Sequence, residues 1–363
     1  MSSGKKVLLF IDNLGAGGAQ RQMSYLACLL KEKGYDTKVI TYGDCSFYAP
    51  MFKDSNVVVE EVEGAASHLW RIPKIKQAID KFNPECVIAY LDTPCIIASL
   101  IKLVFRKRWR LIVSERNTTQ KLTKKGHLKF WLYGVADAIV PNSFSQSNFI
   151  KSHYPKLSAK TTPIVNFVDT EKFRPAVSPK SEGPVKIMVA ATIWPPKNTI
   201  GLILAINSVV KKGYTNFSVR WYGAMGYEYE NECLRKIEEL GLSDYISLLP
   251  KSQNIAEKYQ EADWFCLPSF YEGTPNVICE AMASGLPIVC SNVCDNACYV
   301  EDGKNGYLFD PNSIEDIAET IIKTVQTPAE SRSHMGKRSR EVAEAKLSTA
   351  RFINEYIKVI DEN

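Results

Sequence analysis

No apolar run in this sequence is long enough to cross a lipid bilayer, which excludes an integral membrane protein. The longest apolar stretch, residues 93–105, is interrupted by Pro94 and Lys102. The short apolar run near the N-terminus lacks the length and the small-residue cleavage site of a signal peptide. We therefore expect a cytoplasmic protein that is not exported.

Cysteine and histidine are present without the spacing of a metal site. The chain has ten cysteines and only four histidines, and Cys290, Cys294 and Cys298 recur every four residues. No second cysteine pair or histidine cluster stands nearby in the sequence to complete a zinc site. Without an export signal, these cysteines are expected to be reduced thiols, so the sequence predicts neither a metal nor a disulfide framework.

Strand-like and helical segments alternate along the chain, which predicts parallel sheets covered by helices on both faces. The alternation occurs in two series, separated by a stretch rich in Pro, Ser and Lys at residues 174–184, typical of an interdomain linker. We therefore predict an α/β protein with two Rossmann-like domains that face each other across a cleft. The predicted parts are a first domain at 1–173, a second domain at 184–345, and a helix at 346–363 that packs back on the first domain.

A glycine-rich loop follows the first predicted strand, where residues 13–19 read Asn-Leu-Gly-Ala-Gly-Gly-Ala. Glycines let backbone amides approach a bound group closely, and the helix N-terminus behind them favours negative charge. The spacing is not GxGxxG, and no acidic residue occupies the usual ribose-binding position after the next strand. The loop therefore argues against a dinucleotide cofactor and is compatible with phosphate or sugar contact, or with a purely structural turn.

Two glutamates flank a predicted helix start in the segment 268–287. Thr274 and Pro275 suit the N-cap and the first helical position. Glu272 would then lie in the loop before the helix and Glu280 in its second turn, with the amides of residues 273–277 pointing at the cleft. A rise of about 1.5 Å per residue separates the two carboxylates enough for a diphosphate to lie between them on the helix N-terminus.

This segment resembles the E-x7-E signature of the retaining family 4 glycosyltransferases, which have the GT-B fold. The resemblance covers nearly the whole chain, and its specificity comes from the order of the motifs. Besides the glycine loop, the motifs are Ser-Glu-Arg-Asn at 114–117, Val-Pro-Asn-Ser at 140–143, Val-Asn-Phe-Val-Asp at 165–169, Pro-Pro-Lys-Asn at 195–198 and Glu-Asp-Gly-Lys-Asn-Gly at 301–306.

The resemblance implies a role for individual residues. Glu272 would contact the donor sugar near the reacting carbon, Glu280 would bind the ribose hydroxyls, and Lys197 would meet the diphosphate. An ammonium and helix-end amides would stabilise the charge that develops on the leaving nucleotide. The implied donor-binding residues are Gly17, Gly18, Thr192, Lys197, Gly273, Thr274, Pro275, Asn276, Val277 and Glu280, and the implied acceptor-side residues are Arg116, Asn117 and Asn166.

Three features bear on the chemistry. Thr192 stands where the family often has an arginine as a second diphosphate ligand, and Arg116 stands where it often has a histidine. A guanidinium cannot accept a proton, which excludes a general base at that position. No D-x-D sequence occurs, so no metal is expected for a UDP- or GDP-sugar donor. Both front-side displacement and a covalent intermediate on a carboxylate remain compatible with retention.

The net charge of +5 does not indicate nucleic-acid binding, but its distribution is uneven. Between Asp92 and Asp137 the only acidic residue is Glu115, among ten basic residues interleaved with apolar and aromatic ones. Such a mixture on a surface attracts anionic lipid headgroups. We expect the first domain to dock on the inner face of the cell membrane and to take a lipid-linked or cell-surface glycan acceptor. The alternative is that the aromatic residues are core and the charges are solvated.

Two other functions stay open at this point. A nucleotide-sugar epimerase or hydrolase on the same scaffold would consume the donor without an acceptor. A non-catalytic sugar-nucleotide binding protein is the other, and Thr192 is the residue that motivates it.

Overall fold

The computed structural model describes residues 4–15, 17–44, 46–119, 121–176 and 183–362. These residues form two compact units. Unit 1 comprises the chain up to Asn166 together with the residues from Ala350 onward, and unit 2 is Phe167–Thr349.

Unit 1 alternates strands with helices around one parallel sheet. Its elements are β1 (Lys6–Phe10), α1 (Gly18–Glu32), β2 (Asp36–Thr41), α2 (Ala49–Asp54), β3 (Val58–Glu61), α3 (Arg71–Phe82), β4 (Cys86–Tyr90), α4 (Asp92–Val104), β5 (Arg110–Glu115), α5 (Lys124–Tyr133), β6 (Ala138–Pro141), α6 (Phe144–His153) and a 3-10 turn at Pro155–Lys160. The strand order is β3-β2-β1-β4-β5-β6, and all neighbours run parallel.

The central strands of unit 1 are buried along their length. Every residue of β4 is fully buried, and Val7 to Phe10 of β1 are too. Helices cover both faces of a doubly wound sheet, so its central strands read as continuous apolar runs. Residues 86–90 are such an apolar run, and they form β4.

The C-terminal helix belongs to unit 1, although most of unit 2 precedes it in the chain. This helix, α14 (Thr349–Asp361), buries Phe352, Ile353 and Tyr356. Its C-terminal carbonyls accept hydrogen bonds from two basic residues, one directly before β1 and one at the start of β5. Lys5 Nζ donates to the carbonyl of Ile360 at 2.8 Å, and Arg110 Nε donates to that of Val359 at 2.8 Å. Cations at a helix C-terminus also complement the helix dipole.

Unit 2 repeats the arrangement. Its elements are β7 (Val185–Ala190), a 3-10 turn at Pro195–Lys197, α7 (Thr199–Lys211), β8 (Phe217–Ala224), α8 (Glu228–Glu239), β9 (Ile246–Pro250), α9 (Ile255–Glu261), β10 (Trp264–Leu267), α10 (Asn276–Ala283), β11 (Ile288–Ser291), α11 (Asn296–Tyr299), β12 (Gly306–Phe309), α12 (Ile314–Gln326) and α13 (Ala329–Lys346). The order β12-β11-β10-β7-β8-β9 is that of unit 1 read from the other edge. Both sheets confirm the predicted Rossmann-like fold.

The segment that follows Asn166 is attached to unit 2 by hydrogen bonds. The amide of Val168 donates to the carbonyl of Leu347, and Arg340 donates to the carbonyls of Thr170 and Phe173. Residues 167–173 therefore lie in unit 2, whereas the sequence analysis places them in the first domain. Most of the predicted linker at 174–184 lies outside the described residues.

Among the helices of the described segments, none is long and apolar enough to span a membrane.

Candidate active site

The strand order of unit 2 reverses between β10 and β7, which lie side by side. Connections from these two strands leave in opposite directions, and this opens a crevice at their carboxyl ends, where doubly wound folds bind ligands. Lys197 follows β7 and Glu272 follows β10. The two residues therefore meet at the switch point of the sheet.

Lys197 is held by a turn whose backbone is fixed at both ends. Its amide donates to the carbonyl of Trp194 at 2.8 Å, within the 3-10 turn. Asn198 follows with a left-handed φ of 57°, a conformation that asparagine tolerates better than most residues. The buried Asn198 side chain donates to the carbonyl of Pro311 at 3.0 Å, which ties the turn to the loop after β12.

The carboxylate of Glu272 accepts two hydrogen bonds on the same oxygen. Lys197 Nζ lies 2.5 Å from Oε1, and the Ser269 hydroxyl donates to Oε1 at 2.6 Å. Ser269 is fully buried, and its carbonyl accepts from the Ser291 hydroxyl at 2.6 Å. Because the amide of Phe270 also donates to the carbonyl of Pro196 at 2.9 Å, the two loops are joined through main chain as well as side chain.

Helix α10 begins one residue later than the sequence predicts. Its N-cap is Pro275, whose carbonyl accepts from the amides of Ile278 and Cys279, and no side chain caps it. The prediction of Thr274 as N-cap is wrong because the helix begins at Asn276, directly after Pro275; the Thr274 hydroxyl lies 3.4 Å from that of Tyr299. Burial raises the pKa of Tyr299, so this phenol stays neutral. Asn276 and Val277 form the first turn, whose amides have no acceptor within the helix.

Glu280 is buried at the inner face of α10. It is 3% exposed, and the Tyr259 hydroxyl donates to its Oε2 at 2.9 Å. Tyr259 comes from α9 and is fully buried. Sequence reasoning missed Tyr259, since nothing in a seven-residue helix marks one tyrosine as the partner of a glutamate further along the chain.

The end of β8 approaches the loop after β7 very closely. Gly223 has a φ of +151°, and a Cβ at that position would lie 1.9 Å from the carbonyl oxygen of Ala191. Only glycine fits there, and this contact fixes the backbone next to the half-buried Thr192. Sequence reasoning also missed Gly223. It directly follows the strand predicted at 218–222, and a glycine at the end of a strand often marks a close backbone approach.

Hydrogen bonds to the Asn13 side chain hold the described residues of the glycine loop in unit 1. Asn13 Oδ1 accepts from the amide of Gly15 at 3.0 Å and from Gln20 Nε2 at 3.4 Å. Gly17 is the N-cap of α1, and Gly18 is the first helical residue. No acidic residue occupies the first turn of α1, so the loop retains the positive end of the helix dipole.

Arg116 and its neighbours follow β5 at the carboxyl edge of the unit 1 sheet. Arg116 is buried, and its NH1 and NH2 nitrogens donate to Asn166 Oδ1 at 2.9 Å and to the Tyr356 hydroxyl at 2.8 Å. Asn117 is exposed. Tyr356 comes from α14, and no sequence motif linked it to Arg116.

A buried ion cluster lies beside Arg116. Glu115 is fully buried, and Lys129 Nζ lies 2.8 Å from its Oε2 and 3.2 Å from Asp92 Oδ1. Burial raises the pKa of Glu115 to about 7, even though Lys129 acts in the opposite direction. The cluster joins the carboxyl end of β5 to the start of α4 and to the middle of α5.

The basic segment divides into a buried and an exposed part. Trp109, Phe130 and Tyr133 are core residues, whereas the exposed set comprises Leu103, Val104, Phe105, Lys124, Lys125, Leu128 and Trp131. We refer to this exposed set as the α4–α5 surface. Lys102 pairs with Asp137 and Lys107 with Asp80, so part of the basic charge is neutralised within unit 1.

The predicted site residues therefore fall into two groups. Thr192, Lys197, Glu272 and Glu280 lie in unit 2 with the residues 273–277, and Lys197 and Glu272 are in direct contact. Gly17, Gly18, Arg116, Asn117 and Asn166 lie in unit 1, where Arg116 and Asn166 are in contact. Within the part of the chain that is described, no group of His, Cys, Asp or Glu side chains could hold a metal ion.

Two family models match the sequence in succession. The model described as "Glycosyltransferase Family 4" matches residues 16–172, and the one described as "Glycosyl transferases group 1" matches residues 169–342. The boundary between the two matches lies close to the division between the two units.

Similar proteins include two bacterial sequences and one solved structure. An uncharacterized glycosyltransferase of Haemophilus influenzae is 24% identical over 94% of this chain and 96% of its own length. A UDP-Gal:alpha-D-GlcNAc-diphosphoundecaprenol alpha-1,3-galactosyltransferase of Escherichia coli is 27% identical over 45% of each chain. The Anabaena protein HepE, solved in complex with UDP and glucose, superposes with a TM-score of 0.84 at 17% identity, covering 98% of this chain and 99% of that one.

Proposed function

Because the chain is a glycosyltransferase with the GT-B fold, we propose that it transfers a hexosyl residue from a UDP- or GDP-sugar to an acceptor, with retention of anomeric configuration. The proposed donor site lies in unit 2. The proposed acceptor is a lipid-linked or cell-surface glycan intermediate.

The contact between Lys197 and Glu272 at the switch point carries this proposal. It places one ammonium and one carboxylate 2.5 Å apart, at the edge of the sheet where doubly wound folds bind nucleotides. Ser269 fixes the carboxylate from a fully buried position. A pair held this rigidly can present a cation to a diphosphate and an anion to the adjoining sugar with little reorganisation.

The proposed chemistry follows from these positions. As the bond between the anomeric carbon and the phosphate oxygen breaks, negative charge grows on the leaving diphosphate, and Lys197 with the first amides of α10 stabilises it. The acceptor oxygen bonds to the anomeric carbon, and its proton passes to the departing phosphate oxygen. Glu272 would hold the sugar and stabilise positive charge at the ring. Its Oε1 already accepts from Lys197 and Ser269, which supports a stabilising role over a nucleophilic one.

The remaining donor contacts in the proposal lie along α10. Glu280 would accept from the ribose hydroxyls with Tyr259 holding its other oxygen. Gly273, Thr274, Pro275, Asn276 and Val277 would line the diphosphate. Thr192 supplies no positive charge, so Lys197 carries the cationic role in unit 2. We propose that no metal is required, since that ammonium and the helix dipole take the place of a divalent cation.

A lipid-linked acceptor is the finer part of the proposal. The Escherichia coli relative is named for transfer to a diphosphoundecaprenol-linked sugar. In this chain the α4–α5 surface combines Lys124 and Lys125 with Leu128 and the 65%-exposed Trp131 on one face of α5. Basic residues flanking exposed apolar ones suit an anionic membrane surface, where the acceptor lipid would reside.

Calorimetric titration with UDP and GDP, in buffer containing a chelator, tests the donor site. We expect saturable binding of one nucleotide, and transfer of the corresponding sugar with the chelator present. Binding that requires added divalent metal would overturn the metal-independent proposal. Consumption of the nucleotide-sugar without any acceptor would identify a hydrolase or epimerase, and binding with no turnover over a broad acceptor panel would identify a non-catalytic binding protein.

Vesicle flotation tests the membrane contact. We expect the chain to float with vesicles rich in anionic lipid and not with neutral ones, and the double variant Lys124→Glu/Lys125→Glu to remain in the lower fraction. The matched control is Lys211→Glu/Lys337→Glu, which makes the same charge change at exposed positions of unit 2. Equal flotation of both double variants would exclude the α4–α5 surface as the docking site.

A further inference from the structure

Arg116 carries a buried positive charge whose contacts are neutral. Its side chain donates to the amide oxygen of Asn166 and to the Tyr356 hydroxyl, and its Cζ lies 4.1 Å from the centroid of the Tyr90 ring. Its Nε–H donates to no acceptor among the described residues, and no carboxylate of that part of the chain lies within ion-pair distance of it. Arginine stays protonated in proteins, so the charge is permanent.

The two acidic residues of this region, Glu115 and Asp92, are already paired with another cation. Glu115 precedes Arg116 directly, but its carboxylate lies 2.8 Å from Lys129 Nζ. Asp92, at the start of α4, lies 3.2 Å from the same ammonium. Lys129 therefore pairs with both acidic residues of this part of the sheet edge, and the hydrogen-bond partners of Arg116 are uncharged.

An uncompensated charge of this kind is costly. Transferring an ion from water into the protein interior is unfavourable unless an opposite charge is close by. Hydrogen bonds to an amide and a phenol, and the face of an aromatic ring, offset only part of that cost. The fold keeps the guanidinium in one orientation at the carboxyl edge of a parallel sheet, where such folds bind their ligands.

We infer that Arg116 binds a phosphate group of a substrate in unit 1. This inference rests on the proposed function, because it is the transfer reaction that brings phosphate-bearing molecules to the protein. The phosphate belongs either to a lipid-diphosphate acceptor or to the nucleotide-sugar donor. The planar fork of a guanidinium matches two phosphate oxygens, and the anion supplies the charge that the described surroundings lack.

Tyr356, Tyr90 and Asn166 act as positioning residues for Arg116. The Tyr356 hydroxyl lies 2.7 Å from that of Tyr90 and also accepts from Arg116, so it connects the stacked ring with the guanidinium. Burial raises the pKa of Tyr90 well above its usual value, which keeps that hydroxyl neutral. The network therefore orients the cation without cancelling its charge.

Titration with inorganic pyrophosphate tests the inference independently of turnover. The parent protein is the full chain with Lys197→Gln, which lacks the cation of the unit 2 site. Pyrophosphate is titrated into this parent calorimetrically. We expect this parent to bind pyrophosphate and the added change Arg116→Gln to weaken binding by about tenfold or more, the loss of one charged pair. Arg116→Lys, which keeps the charge and loses the fork, should give an intermediate affinity.

Tyr356→Phe and Arg108→Gln complete the series. Tyr356→Phe keeps the ring and removes one hydroxyl, and we expect it to weaken pyrophosphate binding by about threefold. Arg108 is an exposed arginine of the same unit, so Arg108→Gln makes the same charge change as Arg116→Gln and should leave binding unchanged.

Two results would overturn the inference. One is a folded Arg116→Gln chain that binds pyrophosphate within twofold of its parent, and the other is a parent that does not bind pyrophosphate. If Arg116→Gln does not fold, an unchanged affinity of Tyr356→Phe overturns it instead.

Saturating UDP then identifies the source of the phosphate. Arg116-dependent pyrophosphate binding that persists with UDP bound assigns the site to the acceptor, and displacement by UDP assigns it to the donor. Absence of sugar transfer alters none of these binding results, so failure of the proposed function is recognised separately.

Discussion

The two units share one strand order, but the charged residues at the carboxyl edges of their sheets differ in burial and in pairing. In unit 2, Lys197 and Glu272 bind each other, and their side chains remain 27% and 11% exposed. In unit 1, Arg116 and Glu115 are more deeply buried, and each points to a different set of partners. One scaffold therefore carries an accessible ion pair in one case and an enclosed, unneutralised cation in the other.

The loops, rather than the sheets, produce this difference. Unit 2 places a glycine at Gly223 and a left-handed asparagine at Asn198, which let short loops converge at the switch point. Unit 1 instead covers the end of β5 with a helix from the far end of the chain. The following variants test whether the accessible pair performs chemistry and the enclosed groups bind or stabilise.

The largest effect is expected for Glu272→Gln. This change keeps the shape of the side chain but removes the charge that faces the sugar, so we expect the transfer rate to fall by about a thousandfold. UDP affinity should stay within about threefold, because the nucleotide contacts are elsewhere. Steady-state rates and calorimetry measure the two quantities. Glu238→Gln, at an exposed position of α8, is the control, and transfer at the wild-type rate by Glu272→Gln would falsify the role of Glu272.

Lys197→Gln should have the next largest effect, a loss of about a hundredfold in kcat/KM, since one charge-assisted contact to the leaving diphosphate disappears. Combining it with Glu272→Gln should cost less than the sum of the two losses in activation free energy, because the residues share a 2.5 Å contact. A double-mutant cycle on kcat/KM measures the coupling. Strict additivity would mean that the two residues work independently.

Glu280→Ala should weaken UDP binding by about tenfold, the loss of hydrogen bonds from the ribose to a carboxylate. Tyr259→Phe should weaken it by a smaller factor, since the hydroxyl only holds Glu280. Calorimetry with UDP checks both. If Tyr259→Phe weakens UDP binding more than Glu280→Ala does, the ribose is bound by another group.

Glu115 affects the stability of unit 1 and its pH dependence rather than a rate or an affinity. Burial raises the pKa of Glu115 from 4.5 to about 7, so between these values the folded chain binds more protons than the unfolded one. The contribution of this group to stability is therefore full below about pH 4.5 and is lost as the pH rises to about 7.

Glu115→Gln should remove that pH dependence. We expect wild type to lose about 2 kcal/mol more unfolding free energy than the variant between pH 5 and 7.5, at 1.36 kcal/mol per pKa unit. Urea unfolding followed by tryptophan fluorescence at both pH values measures the difference. Parallel pH profiles of the two proteins would show that Glu115 does not titrate in this range.

Elements with a strong local signal could be predicted from the sequence. The strand β4 coincides with a run of buried apolar residues, and a Pro and a Gly bracket the helix α10, whose N-cap lies one residue after the predicted one. The sequence predicts that Lys197 and Glu272 belong to one site, but not that their side chains are in direct contact. The geometry of this contact depends on the main-chain bond from Phe270 to Pro196, which no local pattern encodes.

Contacts between distant segments could not be predicted. Tyr356 and Arg116 are 240 positions apart, and no sequence pattern around either residue predicts their contact. The basic segment shows an intermediate case. Its aromatic residues could be recognised as interleaved with charge, but the separation of Phe130 from Trp131 into core and surface follows from the orientation of α5 against the sheet.

The position of α14 has a consequence for biosynthesis. Unit 1 is discontinuous in sequence, because its last helix is translated after all of unit 2. During synthesis the ribosome therefore releases a complete unit 2 before unit 1 has Tyr356 to bind Arg116. Until α14 is made, unit 1 lacks the contacts of this helix with Lys5, Arg110 and Arg116, so a chaperone can act on unit 1 for longer than on unit 2.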